Sequence, residues 1–175
     1  SAVLPMFKPG VTEKEIAAEL TIQMLRLGTD PELPFSPIVA SGPNSANPHA
    51  VPTNRRLERG DLVVIDWGAG FEDYFSDLTR TFAITQVSQE LKKIYDTVQA
   101  ANAAGRAAGK PDKIAGVVDN AARKIIDAAG YGKYFTHRTG HGLGMESHES
   151  PYMFSANTLR LAQGMVYTVE PGIYI

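Results

Sequence analysis

Two stretches, RLERGDLVVIDWG at 56–68 and RLAQGMVYTVEPG at 160–172, decide how this chain is read. Aligned without a gap, they share Arg56/Arg160, Leu57/Leu161, Gly60/Gly164 and Gly68/Gly172. Each apolar run also closes on an acid at the same place, Asp66 in the first and Glu170 in the second. Apolar strands seldom end on a carboxylate, because an unpaired buried charge is costly and must shift its pKa or find a partner. The same ending built twice points to a shared task for the two acids.

The likeness extends outward from these stretches. Lys8-Pro9 and Lys110-Pro111 each precede a helical pattern, and Gly28 and Gly130 each lie 20 residues past their lysine. His49-x-x-Pro52 in the first half has a counterpart in His148-x-x-Pro151. Each half therefore reads helix, loop, strand with histidine, strand ending in acid, over about 8–84 and 110–175. Echoes in one order indicate internal duplication, with a period far too long for a solenoid. Two such halves facing each other would bring Asp66 and Glu170 to one site.

Local signals fill in the elements. Thr12 with Glu15 makes a capping-box pattern, followed by apolar Ile16, Leu20 and Leu27 up to Gly28, which predicts a helix. Residues 29–54, rich in Pro, Ser and Asn, read as loop around a short strand at Ile38–Ala40. Leu62–Trp67 and Tyr74–Ile84 read as strands joined by a turn at Gly70–Asp73. Ser88 opens a helix with Leu91, Ile94, Tyr95, Val98 and Ala101 on one face. A further helix is predicted from about Pro111 to Gly130, burying Ile114, Val117, Val118, Ala121 and Ile125, with glycine-punctuated strands after it.

Composition removes several function classes. Hydrophobic content of 43% with 21% charged residues is that of a globular protein. A formal charge of −2 and a pI near 6.1 offer no general attraction to nucleic acid or anionic membranes. The chain has no cysteine, so disulfides and thiolate metal sites are excluded. No apolar run reaches the length of a membrane span, and no signal pattern opens the chain, so a cytoplasmic location is expected.

The chemistry gathers on acids and histidines. With Phe71 and Glu72 as the hairpin tip, opposed positions sum to 143 and Asp66 faces Asp77. Two carboxylates so placed repel unless they share a proton or a cation. Exposure of one of them, or pairing with Arg80, is the alternative. In HRTGHGLGMESHESP (137–151), His137, His141 and His148 fall within one short segment. Gly140, Gly142 and Gly144 argue against a helical zinc motif and for extended backbone that a metal or substrate approaches closely. Asp66, Asp77, His141 and Glu170 form an oxygen-and-imidazole set suited to Mn²⁺, Co²⁺, Fe²⁺ or Zn²⁺, and bridging carboxylates can hold two ions. Amide hydrolysis is the chemistry this set suggests.

GDLVVIDWGAGFEDYFSDLTRTF, HRTGHGLGMESHESP and TVEPGIYI closely resemble the pita-bread metallopeptidases. NPHAVPTNRRLERGD resembles the Xaa-Pro branch, aminopeptidase P and prolidase, more than methionine aminopeptidase. The resemblance covers nearly the whole chain. It implies an α+β fold, a curved antiparallel sheet with outer helices and pseudo-twofold halves. It implies hydrolysis of the peptide bond before proline by a dinuclear centre of Mn²⁺ or Co²⁺. Asp66 would bind one ion, Asp77 would bridge both, and His141 and Glu170 would bind the second. Glu170 would also help deprotonate the attacking water, His148 would stabilise the tetrahedral intermediate, and His49 and His137 would assist the proline-side leaving group. The partner implied is a peptide with proline after its N-terminal residue, and dimers are common in the family. A peptidase-like binding module that has lost catalysis, or a metal-free hydrolase of the creatinase kind, is the alternative; the intact acid set argues against both.

The family carries a fifth ligand, a glutamate beyond the EPGIY motif, and no acid follows Glu170 here. The chain is accordingly expected to be a single catalytic domain, 1–175, truncated at both ends, with Ser1 a cloning remnant and its own activity impaired.

Overall fold

The computed structural model describes residues 2–175, and Ser1, with the expectation attached to it, lies outside them. The chain folds as two compact units, Ser1–Leu91 and Lys92–Ile175.

In the first unit, helix α1 (Glu13–Arg26) starts where the capping box predicts. Glu15 N–H donates to Thr12 Oγ1 at 3.2 Å, and Thr12 N–H donates to the Glu15 carboxylate at 2.7 Å. The helix ends before Gly28, whose φ of +94° is a left-handed turn that favours glycine. Its buried stripe is Ile16, Leu20 and Met24. Leu27 does not belong to that stripe as expected: it caps the helix outside the last turn and is 86% exposed.

Strands β1 (Ile38–Ser41) and β2 (Leu62–Trp67) match the expected runs, and β2 lies between β1 and β5 (Leu78–Ala83), all antiparallel. The expected strand at 74–84 is interrupted. Two-residue strands β3 (Gly70–Phe71) and β4 (Tyr74–Phe75) close the hairpin tip, and the ladder resumes at Leu78. The tip is Glu72-Asp73, with φ of 50° and 67°. Tight hairpin turns require positive φ at the central residues, which Asp tolerates better than a bulky Phe at position 71 would. Opposed positions therefore sum to 145, Asp66 faces Thr79, and the expected direct Asp66–Asp77 pairing is corrected. Continuing the pleat one residue past Leu78 puts Asp77 diagonally from Asp66 on the same face. Arg80 faces Ile65 and so falls on the opposite face. That opposite face, with Val39, Val63 and Ile65, packs on Ile16 together with Leu57 and Ile84. Each such aliphatic side chain contributes about 1.5–3 kcal/mol when removed from water. Asp66 thus stands on the sheet face that α1 does not cover.

Helix α2 (Gln89–Ala108), which starts at the end of the first unit and continues into the second, is capped by Ser88, whose Oγ accepts from Leu91 N–H at 3.1 Å. Helix α3 covers Gly116–Ala128, five residues shorter at its start than expected, because Asp112 at φ 65° turns the chain away from a helix there. Its buried face is also rotated by one position: Ala115, Val118, Ala122 and Ile126 are buried, with Asp119 among them. The expected face did not include Asp119, whose charge is matched internally by Arg123. Strands β6 (Gly140–Gly142) and β7 (Glu149–Met153) pair antiparallel with an irregularity between Gly140 and Gly142. The expected last strand is not regular. Residues 166–170 run beside β6 through bonds from Leu143 N–H to Val166 O, Thr168 N–H to His141 O and Glu170 N–H to Thr139 O, with one isolated bridge at Gly142–Tyr167.

The residues shared by the two quoted stretches do the same work in each unit. Arg56 Nη1 donates to Gly10 O at 2.6 Å, and Arg160 Nη1 donates to Asp112 O at 2.7 Å. Leu57 exchanges backbone bonds with Gly10 and Val11, as Leu161 does with Asp112 and Lys113. Gly60 and Gly164 have φ of 92° and 91°. A Cβ on Gly68 would collide with Ser76 O, and one on Gly172 with the Tyr174 ring.

Glu13, fully buried at the start of α1, is the polar centre of the first unit. Its Oε1 accepts from Ser41 N–H and Ser41 Oγ, both at 2.7 Å, and its Oε2 from Thr53 N–H at 3.0 Å and Thr53 Oγ1 at 2.7 Å. Asn44 Nδ2 adds bonds at 3.0 and 3.1 Å. Burial pushes this carboxyl up, but the bonds from Ser41 and Thr53 outweigh it and hold it below its ordinary range. Glu13→Ala, which strands these donors, should destabilise the chain by about 3 kcal/mol in urea denaturation. Because the folded-state value is lowered, the stability Glu13 contributes is fully present above the ordinary carboxylate range and is lost as pH falls through that lower value. Glu13→Gln should therefore flatten the acid limb of the stability curve, and an unchanged limb would contradict this assignment.

Candidate active site

Asp66, Asp77 and His49 belong to the first unit; His137, His141, His148 and Glu170 belong to the second. In the first, the end of β2 holds Asp66 half-buried, and Asp77, also half-buried, precedes β5. His49 is exposed in the loop after β1, where its N–H donates to Asn47 Oδ1 at 2.9 Å and closes a local turn.

In the second unit, β6 carries His141 into the interior, with 3% of it exposed. Its Nδ1 lies 2.9 Å from Gly142 O, and since a carbonyl only accepts, Nδ1 carries the proton in the neutral ring. Its Nε2 then faces Glu170 Oε1 at 3.1 Å with a lone pair. Two lone pairs at that distance repel unless a proton or a cation is shared between them. Two donors each about 2.0–2.2 Å from one divalent ion, at right angles, are about 3 Å apart. The His141–Glu170 spacing therefore fits one edge of a metal polyhedron, and the imidazole–carboxylate pair fits a divalent ion of intermediate hardness.

Glu170 is set by its neighbours. Thr168 Oγ1 donates to Glu170 Oε1 at 2.6 Å and accepts from His141 N–H at 3.0 Å, so one hydroxyl fixes both donors. Glu170 N–H donates to Thr139 O at 2.7 Å. Burial raises the Glu170 pKa, but a proton on the facing His141 nitrogen, the Thr168 hydroxyl and the charge of a protonated His137 outweigh burial and hold it below its ordinary range; a cation in place of the His141 proton acts in the same direction. The exposed His148 ring lies 4.0 Å from the His141 ring, and His137 sits one turn of chain away with Nδ1 on Arg138 O at 2.7 Å and Nε2 on Tyr174 Oη at 2.9 Å.

Gly140 and Gly142 lie in extended backbone, as expected, and also serve packing. A Cβ on Gly140 would meet the Thr168 carbonyl, and one on Gly142 the Ser150 and Glu149 carbonyls. The close approach seen at these positions is by neighbouring backbone, which packs two segments against His141. Sequence reading also missed Thr168, Asp119 and Arg123. Thr168 had a signal, a hydroxyl two positions before the acid on an extended segment, hence on its face.

Comparison with known proteins gives the family and the fold. The sequence model of metallopeptidase family M24 matches residues 1–175. A peptidase of Bacillus subtilis is 48% identical over 173 residues, covering 99% of this chain and 49% of that protein. The Xaa-Pro dipeptidase of Pyrococcus furiosus is 42% identical over 174 residues, covering 99% of this chain and 50% of its own. The solved Xaa-Pro dipeptidase from Bacillus anthracis superposes with a TM-score of 0.96 at 42% identity, over 99% of this chain and 49% of that one. The chain spans about half the length of the curated relatives it matches.

If Thr168 sets the His141–Glu170 edge, Thr168→Val should weaken Mn²⁺ binding by about 10–100-fold in calorimetry, as losses of such supporting groups do. Thr168→Ser should keep it, and equal affinity in the valine variant would contradict the role.

Proposed function

The chain belongs to metallopeptidase family M24, and on that premise we propose that the whole protein hydrolyses the peptide bond before proline, as an Xaa-Pro dipeptidase or aminopeptidase. The family implies divalent metal ions. In this reading residues 1–175 contribute one catalytic domain of two related halves. Asp66, Asp77, His141 and Glu170 hold two ions, Mn²⁺ or Co²⁺, with Zn²⁺ or Fe²⁺ as substitutes. The observation that carries the metal is the 3.1 Å contact between His141 Nε2 and Glu170 Oε1. Proline selectivity is supported by the NPHAVPTNRRLERGD stretch and by relatives named Xaa-Pro dipeptidase.

Bound divalent ions supply a Lewis acid for the scissile carbonyl and a water acidic enough to attack near neutral pH. Glu170 takes the proton of the attacking water, its carboxylate held by the Thr168 hydroxyl. His148, exposed beside the His141 ring, donates to the oxyanion that develops on the carbonyl oxygen. The departing proline nitrogen needs a proton, and His137 and His49 deliver it. The His137 ring is already oriented for that step by Tyr174 Oη and Arg138 O.

The test is the full-length protein assayed on an Xaa-Pro dipeptide, an Xaa-Pro-Xaa tripeptide and a Met-Ala peptide, before and after chelation. Proline-selective cleavage that is lost with chelator and restored by Mn²⁺ or Co²⁺ is expected. Asp77→Asn and His141→Ala should each lower kcat/KM by about a thousandfold, since metal polarisation supplies several kcal/mol to the barrier. Cleavage that survives chelation, or that ignores proline, would overturn the proposal.

A further inference from the structure

Helix α3 holds a charged pair that the mechanism above does not use. Asp119 is buried, with 1% exposed, on the apolar face of the helix. Arg123, one turn later, donates through Nε to Asp119 Oδ2 and through Nη2 to Asp119 Oδ1, both at 3.1 Å. A buried pair of this kind is weak grounds for stability, because desolvation offsets much of the attraction. What it touches next is more informative.

Arg123 Nη1 donates to Phe135 O, and Nη2 to His137 O, both at 3.0 Å. These are alternate carbonyls of the segment that leads into β6. Two residues further on, Thr139 N–H and Thr139 Oγ1 donate to Asp119 Oδ1 at 3.1 and 2.7 Å. One ion pair thus fixes residues 135, 137 and 139 in sequence. The guanidinium also lies 4.2 Å over the Phe135 ring, and that ring meets the His137 imidazole edge-on at 5.2 Å. Arg123 reaches His137 by two routes, its carbonyl and the aromatic ring beside it. Thr139 O, at the far end of the clamp, receives the Glu170 N–H.

We infer that Arg123, locked by Asp119, is a positioning residue for His137, holding the neutral imidazole in the Nδ1–H tautomer and in one orientation, so that Nε2 is the nitrogen that takes up a proton and hands it from the imidazolium to the departing amine. The inference rests on the reading of His137 as the proline-side proton donor. The fork geometry is what matters: a guanidinium can bond a carboxylate and two carbonyls at once, and an ammonium cannot. His137 Nδ1 carries its proton toward Arg138 O, which leaves Nε2 to Tyr174 Oη. That arrangement needs the 135–138 backbone held still. With the clamp removed, the segment gains freedom and the ring exchanges between its two tautomers.

The experiment is ¹⁵N NMR of the imidazole rings, read above the histidine titration range, in the unaltered chain and in Arg123→Lys. Four histidines make assignment practical. The unaltered chain should give His137 as a single Nδ1–H tautomer, and Arg123→Lys should move it to averaged shifts while the His49 signals stay in place. In the full-length enzyme the same variant should lower kcat by about tenfold or more with KM nearly constant, as misplacement of a reacting group does. A variant that lowers the denaturation midpoint but leaves the His137 tautomer and kcat unaltered would show a purely structural pair and overturn the inference. Arg123→Gln, whose amide can still bond Asp119, gives the same reading should the lysine variant not fold. Since the ring signals do not depend on hydrolysis, absence of Xaa-Pro cleavage would sink the proposed function alone.

Discussion

An imidazole nitrogen and a carboxylate oxygen whose lone pairs face each other at 3.1 Å need a proton or a cation between them. Much of the second unit is arranged to keep His141 and Glu170 in that relation. The Thr168 hydroxyl ties the two donors together, Gly140 and Gly142 let neighbouring segments close on the His141 backbone, and Thr139 takes the Glu170 N–H. The Gly142 carbonyl fixes the tautomer that turns Nε2 toward the carboxylate. Loss of any one of these would relax a contact that is unfavourable by itself. Such a contact persists only where surrounding structure determines it.

Both units anchor helix to strand by one device, a buried acid that accepts the N–H and hydroxyl of one Ser or Thr. In the first unit it is Glu13 with Ser41 and in the second Asp119 with Thr139. The acids are not at corresponding places in the repeat, yet each fixes the backbone next to a histidine-bearing segment. Glu13 also bonds Asn44 and Thr53, which lie on either side of His49 in sequence. The repeat itself is expressed in backbone bonds, with Arg56 and Arg160 reaching equivalent carbonyls.

Much of this was legible in the sequence. The capping box at Thr12, β2, the glycine turns and the two acid endings appear where the pattern puts them, because each depends on local chemistry. The pita-bread fold expected from the motifs is that of the solved prolidases on which the chain superposes. The misses have two causes, local turn conformations that the pattern did not show and tertiary partners that override local rules. The hairpin tip moved by one residue, and the register by two, because Glu72 and Asp73, not Phe71, take positive φ. The buried face of α3 rotated because Asp119, polar by type, is neutralised by Arg123 and so belongs inside. Residues 166–170 read as a strand but pair through scattered bonds, since their task is to present Glu170 against His141. Arg123 carried a faint signal, an arginine four residues after an acid that lies on an apolar stripe.

The central proposal is that the His141–Glu170 edge holds a divalent ion. Crystals of the full-length protein grown with Mn²⁺, measured at the manganese absorption edge, test it most directly. The account predicts anomalous peaks within bonding distance of His141 Nε2, a Glu170 carboxylate oxygen, Asp66 and Asp77. An empty edge at saturating Mn²⁺, with His141 and Glu170 still 3.1 Å apart and joined by a proton, would contradict it.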